Sequence, residues 1–270
     1  MVLSERVEPY DQVILDLDGC VWVGEEATAG APEAIVALRE AGKRVAFVTN
    51  DPRHATQDYV AKLWSVGVQA SLDDVVTVGA ATQRLLHQTR SGSPAFVIGT
   101  QSMRRHVDDA GLRVVNGTDL AAEAEVVVVA GTDYLDLDDL RFATRALRRG
   151  AGLVATSRDA VYPTSSGPSP GTGAILAAVE YASGATATIV GKPEPELFGT
   201  ALDRLGEGRT LAVGDRLDAD IAAAAAAGLD AALVLTGGTT AEEVDAAGEP
   251  RPLHVAESLA SLVLEGALYS

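Results

Sequence analysis

The chain is poor in cysteine, in aromatic residues and in positive charge. Each shortage excludes a kind of structure or a class of partner. Its single cysteine, Cys20, cannot form a disulfide within the chain, which fits a reducing compartment. Only 4% of the residues are aromatic, so the core must be built mainly from Val, Leu, Ile and Ala. The formal net charge of −17 disfavours nucleic acid and anionic membranes as partners, because both would repel the protein at long range.

Long apolar segments are missing as well. No run of about 18 apolar residues occurs, so we expect no transmembrane helix. The N-terminal stretch contains Glu5, Arg6 and Glu8 and lacks an apolar core, so we expect no signal peptide. With 270 residues, the chain is long enough for one large domain or two moderate ones, and we expect it in the cytoplasm.

Apolar strands alternate with amphipathic helices along the chain. The stretch 11–20 is an apolar run that ends in two aspartates and a glycine, and a helix is predicted at 31–41. A second apolar strand follows at 44–50, and the same alternation continues to a last helix at about 256–264. This order predicts an α/β fold with a doubly wound parallel sheet.

Four predicted strands stop at polar or charged residues. These are Asp16 and Asp18, Thr49 and Asn50, Lys192, and Asp215. Ligands bind beyond the carboxyl ends of the strands in an open parallel sheet, so we expect the four tips to meet at one edge. Carboxylates with a divalent cation can supply or position a nucleophile, and a lysine suits phosphate. The combination indicates phosphoryl transfer.

The acidic residues at these tips call for a cation. Asp16 and Asp18 lie two residues apart in an extended segment and can face one substrate, while Gly19 allows a sharp turn. Beside Asp215 and Asp220, their carboxylates would repel one another strongly. Mg²⁺ is the expected ion, because it prefers hard oxygen ligands and phosphate.

The motifs resemble those of a known superfamily in order and spacing. Asp16-Leu17-Asp18-Gly19, Thr49-Asn50, Gly191-Lys192-Pro193 and the acidic string at 214–220 look like the four motifs of the haloacid dehalogenase-like (HAD) superfamily. The closest resemblance is to its subfamily IIA, the NagD and p-nitrophenyl phosphatase group, and it covers nearly the whole chain. It implies a Rossmann-like HAD core at 1–78 and 185–270, with an inserted α/β cap of the C2a type at 79–184.

The resemblance also implies a reaction. The chain would be a phosphatase that hydrolyses small phosphorylated metabolites through an aspartyl-phosphate. Asp16 would be the nucleophile, and Asp18 would protonate the leaving group and then activate water. Thr49 and Asn50 would bind the phosphoryl oxygens, and Lys192 would neutralise charge on Asp16 and on the phosphoryl group.

A metal and a partner follow from the same resemblance. Mg²⁺ would be held by Asp16, Asp215 and the backbone carbonyl of Asp18. Asp220 would lie behind these ligands and orient waters or Lys192. Caps of this subfamily often dimerise, so a homodimer through the cap is an expectation.

Two positions depart from the subfamily pattern. Asp51 stands where a second asparagine is usual, at the rim of the substrate-binding residues, and we expect its charge to disfavour substrates with an anionic remote end. Tyr162 lies near the place where pyridoxal-phosphatase-like members have a cap histidine. We therefore do not infer pyridoxal phosphate as the substrate of this chain. Sugar phosphates, glycerol phosphate, phosphoglycolate and nucleotides are the open substrate classes.

Other functions fit parts of the pattern. A phosphomutase would transfer the phosphoryl group to a second hydroxyl, and a carbon–halogen hydrolase would need neither Asp18 nor a metal. A receiver-type signalling domain also joins acids, a threonine and a lysine around Mg²⁺, but its phosphorylated aspartate lies on a middle strand. An idle phospho-ligand binding protein is disfavoured by the complete set of Asp16, Asp18, Lys192 and Asp215.

Overall fold

The computed structural model describes residues 2–162 and 167–266, and the chain divides into two compact units. The first unit comprises Met1–Thr49, Thr56–Val76 and Lys192–Ser270, and the second comprises Asn50–Ala55 and Thr77–Gly191. The second unit therefore takes in the segment after Thr49 and runs on to Gly191, whereas the sequence places the cap at 79–184. No helix in the described part of the chain is long and apolar enough to cross a membrane.

The strands are short, and those at the centre of each sheet are buried. In chain order they are β1 (Gln12–Asp16), β2 (Trp22–Val23), β3 (Glu26–Ala27), β4 (Arg44–Thr49), β5 (Val75–Thr77), β6 (Pro94–Ile98), β7 (Arg113–Val114), β8 (Val126–Val129), β9 (Gly152–Ala155), β10 (Val161–Tyr162), β11 (Ser169–Pro170), β12 (Thr188–Ile189), β13 (Thr210–Gly214), β14 (Asp230–Val234) and β15 (His254–Ala256).

Helices connect most of these strands. They are α1 (Ala31–Glu40), α2 (Thr56–Ser65), α3 (Val78–Arg90), α4 (Gln101–Asp109), α5 (Leu137–Arg148), α6 (Thr172–Ser183), α7 (Glu196–Leu205), α8 (Ala222–Ala226), α9 (Ala241–Ala246) and α10 (Leu259–Val263). A 3-10 turn at Ala121–Glu123 and a π-helical turn at Leu217–Ile221 complete the regular structure of the described residues.

A six-stranded sheet in the order β15-β14-β13-β1-β4-β5 forms the centre of the first unit. β1 is wholly buried and pairs in parallel with β13 on one side and with β4 on the other. A parallel strand covered on both faces needs a continuous apolar sequence, which Val13, Ile14 and Leu15 provide. The predicted doubly wound parallel sheet is confirmed, with the first acidic tip on a central strand.

The second unit has its own five-stranded sheet, in the order β12-β9-β8-β6-β7. β8 consists of four buried valines and pairs in parallel with β6 and with β9. β12 pairs with β9, so the predicted strand before Lys192 belongs to this sheet and not to the six-stranded one. The prediction that Lys192 follows a strand of the same sheet as Asp16 is therefore wrong.

Other differences have local causes. The last helix begins at Leu259 and not near Ala256, because Ala256 ends β15 and Ser258 caps the helix by accepting the backbone N–H of Ser261. The small-residue sequence at 218–227 predicts a helix, but this segment starts as a π-helical turn, in which Asp220 accepts the backbone N–H of Arg216. The sequence at 162–173, rich in Pro, Ser, Thr and Gly, predicts a loop, but it overlaps the antiparallel pair β10–β11, and its residues 163–166 lie outside the described part of the chain.

Candidate active site

The sheet register brings the predicted tips of three strands to one level. Asp16 ends β1 opposite Val48 of β4, so Thr49 lies one residue beyond it. On the other side Leu15 lies opposite Val213 of β13, which places Asp215 one residue beyond the level of Asp16. The prediction that these tips share one edge of the sheet is confirmed for β1, β4 and β13.

Lys192 joins this edge although its preceding strand lies in the other sheet. Its ammonium group donates to Asp16 Oδ1 at 2.5 Å and to Asp220 Oδ1 at 2.6 Å. All three side chains are buried. Charge-assisted hydrogen bonds of this length fix both carboxylates against a single cation. Asp220 also accepts the backbone N–H groups of Asp215 and Arg216, which anchors the turn after β13.

Two glycines make room for Asp215. A Cβ at Gly19 would lie 2.3 Å from Asp215 Oδ2, and one at Gly237 would lie 2.1 Å from the same atom. Gly19 also has a φ of 89°, a left-handed conformation that favours glycine. The backbone N–H of Gly238 donates to Asp215 Oδ2, and the Thr236 hydroxyl donates to the carbonyl of Gly19. The loop after β14 therefore fixes the position of the Asp215 carboxylate through a hydrogen bond from Gly238 and the close approach of Gly237.

The charges of this cluster do not balance. Carboxylate oxygens of Asp16, Asp215 and Asp220 lie within 4.8 Å of one another, against the one ammonium of Lys192. Burial raises the pKa of Asp16 well above its usual range; Lys192 opposes this, and Asp220 and Asp215 add to it. Burial and Asp220 raise the pKa of Asp215 to about 6. Oxygen donors with excess negative charge fit Mg²⁺, which would offset their repulsion.

Lys192 stays charged within this cluster. Burial lowers the pKa of its ammonium group, but Asp16 and Asp220 outweigh that effect and raise the pKa above its ordinary value. The lysine is therefore a fixed cation in the site and not a base.

Replacing Gly237 by alanine tests the close approach to Asp215. Gly237→Ala would place a methyl group against Asp215 Oδ2 and 2.7 Å from the Cα of Gly19, so the carboxylate must move. We expect a loss of about 1–3 kcal/mol of stability and weaker Mg²⁺ binding by calorimetry. Gly199→Ala is the control, since a Cβ at that helical position meets nothing within 4 Å and should stabilise the protein slightly. Unchanged metal affinity in Gly237→Ala would contradict the arrangement.

Asp18 lies outside the cluster formed by Asp16, Asp215 and Asp220. It is exposed, and its Oδ1 accepts a hydrogen bond of 2.8 Å from the indole N–H of Trp22. Its carboxylate is therefore separate from the acids that could share a metal ion, although it follows Asp16 by only two residues.

The predicted phosphate-binding residues lie at the end of β4 and directly after it. Thr49 is buried at the end of this strand. Asn50 begins the segment that belongs to the second unit, where its side chain lies against Gly191, the residue before Lys192. The second and third motifs are therefore connected through Asn50 and Gly191.

Asp51 is neutralised within its own segment. Its two carboxylate oxygens accept hydrogen bonds of 2.7 and 3.0 Å from the guanidinium of Arg53. That guanidinium stacks 3.6 Å from the ring centroid of Tyr162, whose hydroxyl donates to Asp133. The expectation that Asp51 disfavours anionic substrates loses its physical basis, because Arg53 balances the charge.

Sequence reasoning missed three parts of this region. Trp22, Arg53 and the loop at 236–238 all contact predicted site residues. Trp22 and Arg53 lie within four residues of a predicted strand tip, and a search for donors near each tip could have found them. The loop at 236–238 follows another strand of the same sheet, and its two glycines were the available signal.

Comparison with known proteins agrees with this geometry. Family models described as haloacid dehalogenase-like hydrolase and HAD-hydrolase-like match residues 13–113 and 189–262. Human chronophin is 37% identical over 271 residues, which cover 93% of this chain and 91% of chronophin.

Solved structures are similar over nearly the whole chain. The crystal structure of glycerol phosphate phosphatase from Mycobacterium tuberculosis in complex with magnesium superimposes with a TM-score of 0.89 at 34% identity, covering 97% of this chain and 79% of that one. NagD from E. coli K-12 gives a TM-score of 0.84 at 28% identity, covering 93% and 97%. The fold, the order of the four motifs and these relatives agree, and the chain belongs to the haloacid dehalogenase-like hydrolases, within the NagD-like subfamily IIA.

Proposed function

We propose that this chain is a Mg²⁺-dependent phosphatase that hydrolyses small phosphorylated metabolites through an aspartyl-phosphate. One observation carries the proposal: the carboxylate of Asp16 ends a central buried strand, held by Lys192 at 2.5 Å and crowded by Asp215. A carboxylate fixed in this way can attack phosphorus without first reorganising its surroundings.

The first half of the reaction transfers the phosphoryl group to the protein. An oxygen of Asp16 attacks phosphorus, and the bond from phosphorus to the leaving oxygen breaks. Asp18 gives its proton to that oxygen, so the product leaves as a neutral alcohol. Lys192 holds Asp16 in line and balances negative charge on the phosphoryl group.

The second half restores the enzyme. Water attacks phosphorus of the aspartyl-phosphate, Asp18 accepts the proton of that water, and the bond from phosphorus to Asp16 breaks. Inorganic phosphate is released, and Asp18 again carries a proton for the next cycle. Each step leaves Asp16 and Asp18 in the state that the following step needs.

Mg²⁺ would be held by Asp16, Asp215 and the backbone carbonyl of Asp18. When bound, it supplies positive charge for the phosphoryl oxygens. Asp220 would not bind the ion directly. It accepts hydrogen bonds from Lys192 and from the backbone N–H of Asp215, and so positions the residues that do.

Thr49 and Asn50 would bind the phosphoryl oxygens through a hydroxyl and an amide. Asp51 would stand at the rim of the substrate site with its partner Arg53. Because that pair is neutral, sugar phosphates, glycerol phosphate, phosphoglycolate and nucleotides all fit the charge of the segment. We place glycerol phosphate first, on the likeness to the phosphatase from Mycobacterium tuberculosis.

Phosphate release from a panel of phosphorylated metabolites tests this function. With Mg²⁺ we expect turnover of at least one of these four classes and of p-nitrophenyl phosphate. A chelator should abolish the activity, and added Mg²⁺ should restore it, because the acidic cluster loses its counter-charge without the ion. Turnover that continues after exhaustive chelation would contradict a metal-dependent reaction.

The same assay separates the rival functions. A phosphomutase would convert a sugar phosphate into its isomer and release little free phosphate. A binding protein would retain a phosphorylated ligand without consuming it.

We also propose a cytoplasmic enzyme and a homodimer through the cap, which is the second unit. The buried free thiol of Cys20 fits a reducing compartment. Exposed apolar side chains on the second unit support association: Tyr134, Leu137 and Tyr181 are 88%, 69% and 95% exposed. Sedimentation at micromolar concentration tests the dimer, and a mass equal to one chain would contradict it.

A further inference from the structure

The indole of Trp22 holds the carboxylate of Asp18. Trp22 is wholly buried, and its N–H donates to Asp18 Oδ1 at 2.8 Å. The backbone fixes the two residues relative to each other, because Gly19 N–H donates to the carbonyl of Trp22 at 2.7 Å. The backbone N–H of Trp22 in turn donates to the carbonyl of Leu17 at 3.2 Å. The hydrogen bond between the two side chains is thus built into a closed turn.

The ring of Trp22 is held from its face as well. The ammonium of Lys62, on α2, lies 4.6 Å from the ring centroid and donates to the carbonyl of Gly24 at 2.7 Å. Gly24 lies in the turn between β2 and β3, so one lysine contacts both the indole and the hairpin that presents it. A ring fixed by its backbone and by a cation can set the angle of the carboxylate it binds.

The chemistry of the indole N–H decides which carboxylate oxygen is free. Indole nitrogen donates one hydrogen bond and accepts none. Oδ1 of Asp18 is therefore the acceptor while it binds Trp22, and a proton on the carboxyl group is favoured on Oδ2, because the unprotonated oxygen is the stronger acceptor.

We propose that Trp22 is a positioning residue for proton transfer: it binds Oδ1 of Asp18 and leaves Oδ2 as the oxygen that exchanges the proton. The inference rests on the proposed function, since it assumes that Asp18 protonates the leaving group. Trp22 does not touch the reacting atoms, and it acts only through the orientation of Asp18.

Trp64, the second tryptophan of the chain, provides a comparison for Trp22, because its indole N–H is bound outside the predicted site. Trp64 is 58% exposed, and its N–H donates to the backbone carbonyl of Ala70. Trp22 is buried, and its N–H is satisfied by a carboxylate at a predicted catalytic position and not by a carbonyl. The two residues form a matched pair for the test.

Trp22→Phe keeps an aromatic ring and removes the N–H. We expect kcat/KM, which reports the reaction through the phosphoryl-transfer step, to fall about 10-fold for an alkyl phosphate such as glycerol phosphate, because an alkoxide needs a well-aimed proton to leave. Hydrolysis of p-nitrophenyl phosphate should change little in its first step, since nitrophenolate leaves without a proton. Trp64→Phe should leave both rates unchanged.

A double variant shows whether Trp22 works through Asp18. Asp18→Asn should lower turnover of the alkyl phosphate more than Trp22→Phe does, and adding Trp22→Phe to it should cause no further loss. A full additional loss in the double variant would overturn the proposal.

Removing the N–H without changing the shape covers the case in which Trp22→Phe fails to fold. In a Trp64→Phe chain, benzothienylalanine supplied in place of tryptophan puts sulfur at the N–H position of residue 22 alone. We expect the same selective loss with the alkyl phosphate. Equal losses of kcat/KM for both substrates, or no loss for either, would overturn the role of Trp22. A wild-type protein that hydrolyses neither substrate would instead overturn the proposed function.

Discussion

Asp16→Asn is expected to leave the fold intact and to lower turnover of any phosphoester by at least about 10⁴-fold. A neutral amide is a poor nucleophile, so no aspartyl-phosphate can form. The substitution also removes one of the three acids that crowd the site, while Lys192 keeps its partner Asp220. In the absence of metal, the variant should therefore melt at or above the temperature of the wild type.

Acid quenching of the enzyme during turnover of a ³²P-labelled substrate gives a direct measurement. Wild-type protein should retain acid-stable, base-labile label, and Asp16→Asn should retain none. Asp108→Asn, at an exposed position of α4, is the control and should behave as the wild type. Turnover by Asp16→Asn close to that of the wild type would rule out Asp16 as the nucleophile.

Lys192→Met is expected to damage both stability and activity. It leaves Asp16 and Asp220 buried without their cation, which should cost about 3–5 kcal/mol of the free energy of unfolding. Turnover should fall by at least about 10²–10³-fold, because a fixed positive charge beside the phosphoryl group is lost. Urea denaturation and steady-state rates measure the two effects separately.

A second substitution separates them further. Adding Asp220→Asn to Lys192→Met removes one uncompensated carboxylate, so stability should partly return while activity stays low. Lys43→Met is the control, since its ammonium donates to the backbone carbonyls of Glu8 and Tyr10 and lies outside the acidic cluster. A Lys192→Met protein as stable as the wild type would contradict the paired-charge arrangement.

Strands and their polar ends could be predicted because both are local properties of the sequence. Val13, Ile14 and Leu15 form a continuous apolar run, and a buried parallel strand requires such a run. In the structure, the parallel register places Asp215 one residue beyond the level of Asp16, so the two predicted tips are close. Helix bounds such as those of α1 differ from the prediction by one residue, since Gly42 lies just past its end.

The features that could not be predicted depend on contacts between distant residues, which the hydrophobic pattern of the sequence does not reveal. The apolar pattern before Lys192 indicates a strand, but not which of two sheets that strand joins. The buried face of α3 includes the small residues Gly79 and Ala81, whose side chains do not by themselves indicate a core position. The charge of Asp51 looked unbalanced because its pairing with Arg53 depends on how a short segment turns.

The position of β1 in its sheet has a consequence for synthesis of the chain. β1 lies between β4 and β13, and Gln12 is paired with Thr210, almost two hundred residues later. A nascent chain can complete the second unit while the first still lacks half of its central sheet. Contacts of such long range form slowly, and β1 cannot pair with β13 until the last third of this chain has been synthesised. Asp16, Lys192 and the last acids therefore come together only after Asp220 has been synthesised, and a chain released from the ribosome before that residue has no active site.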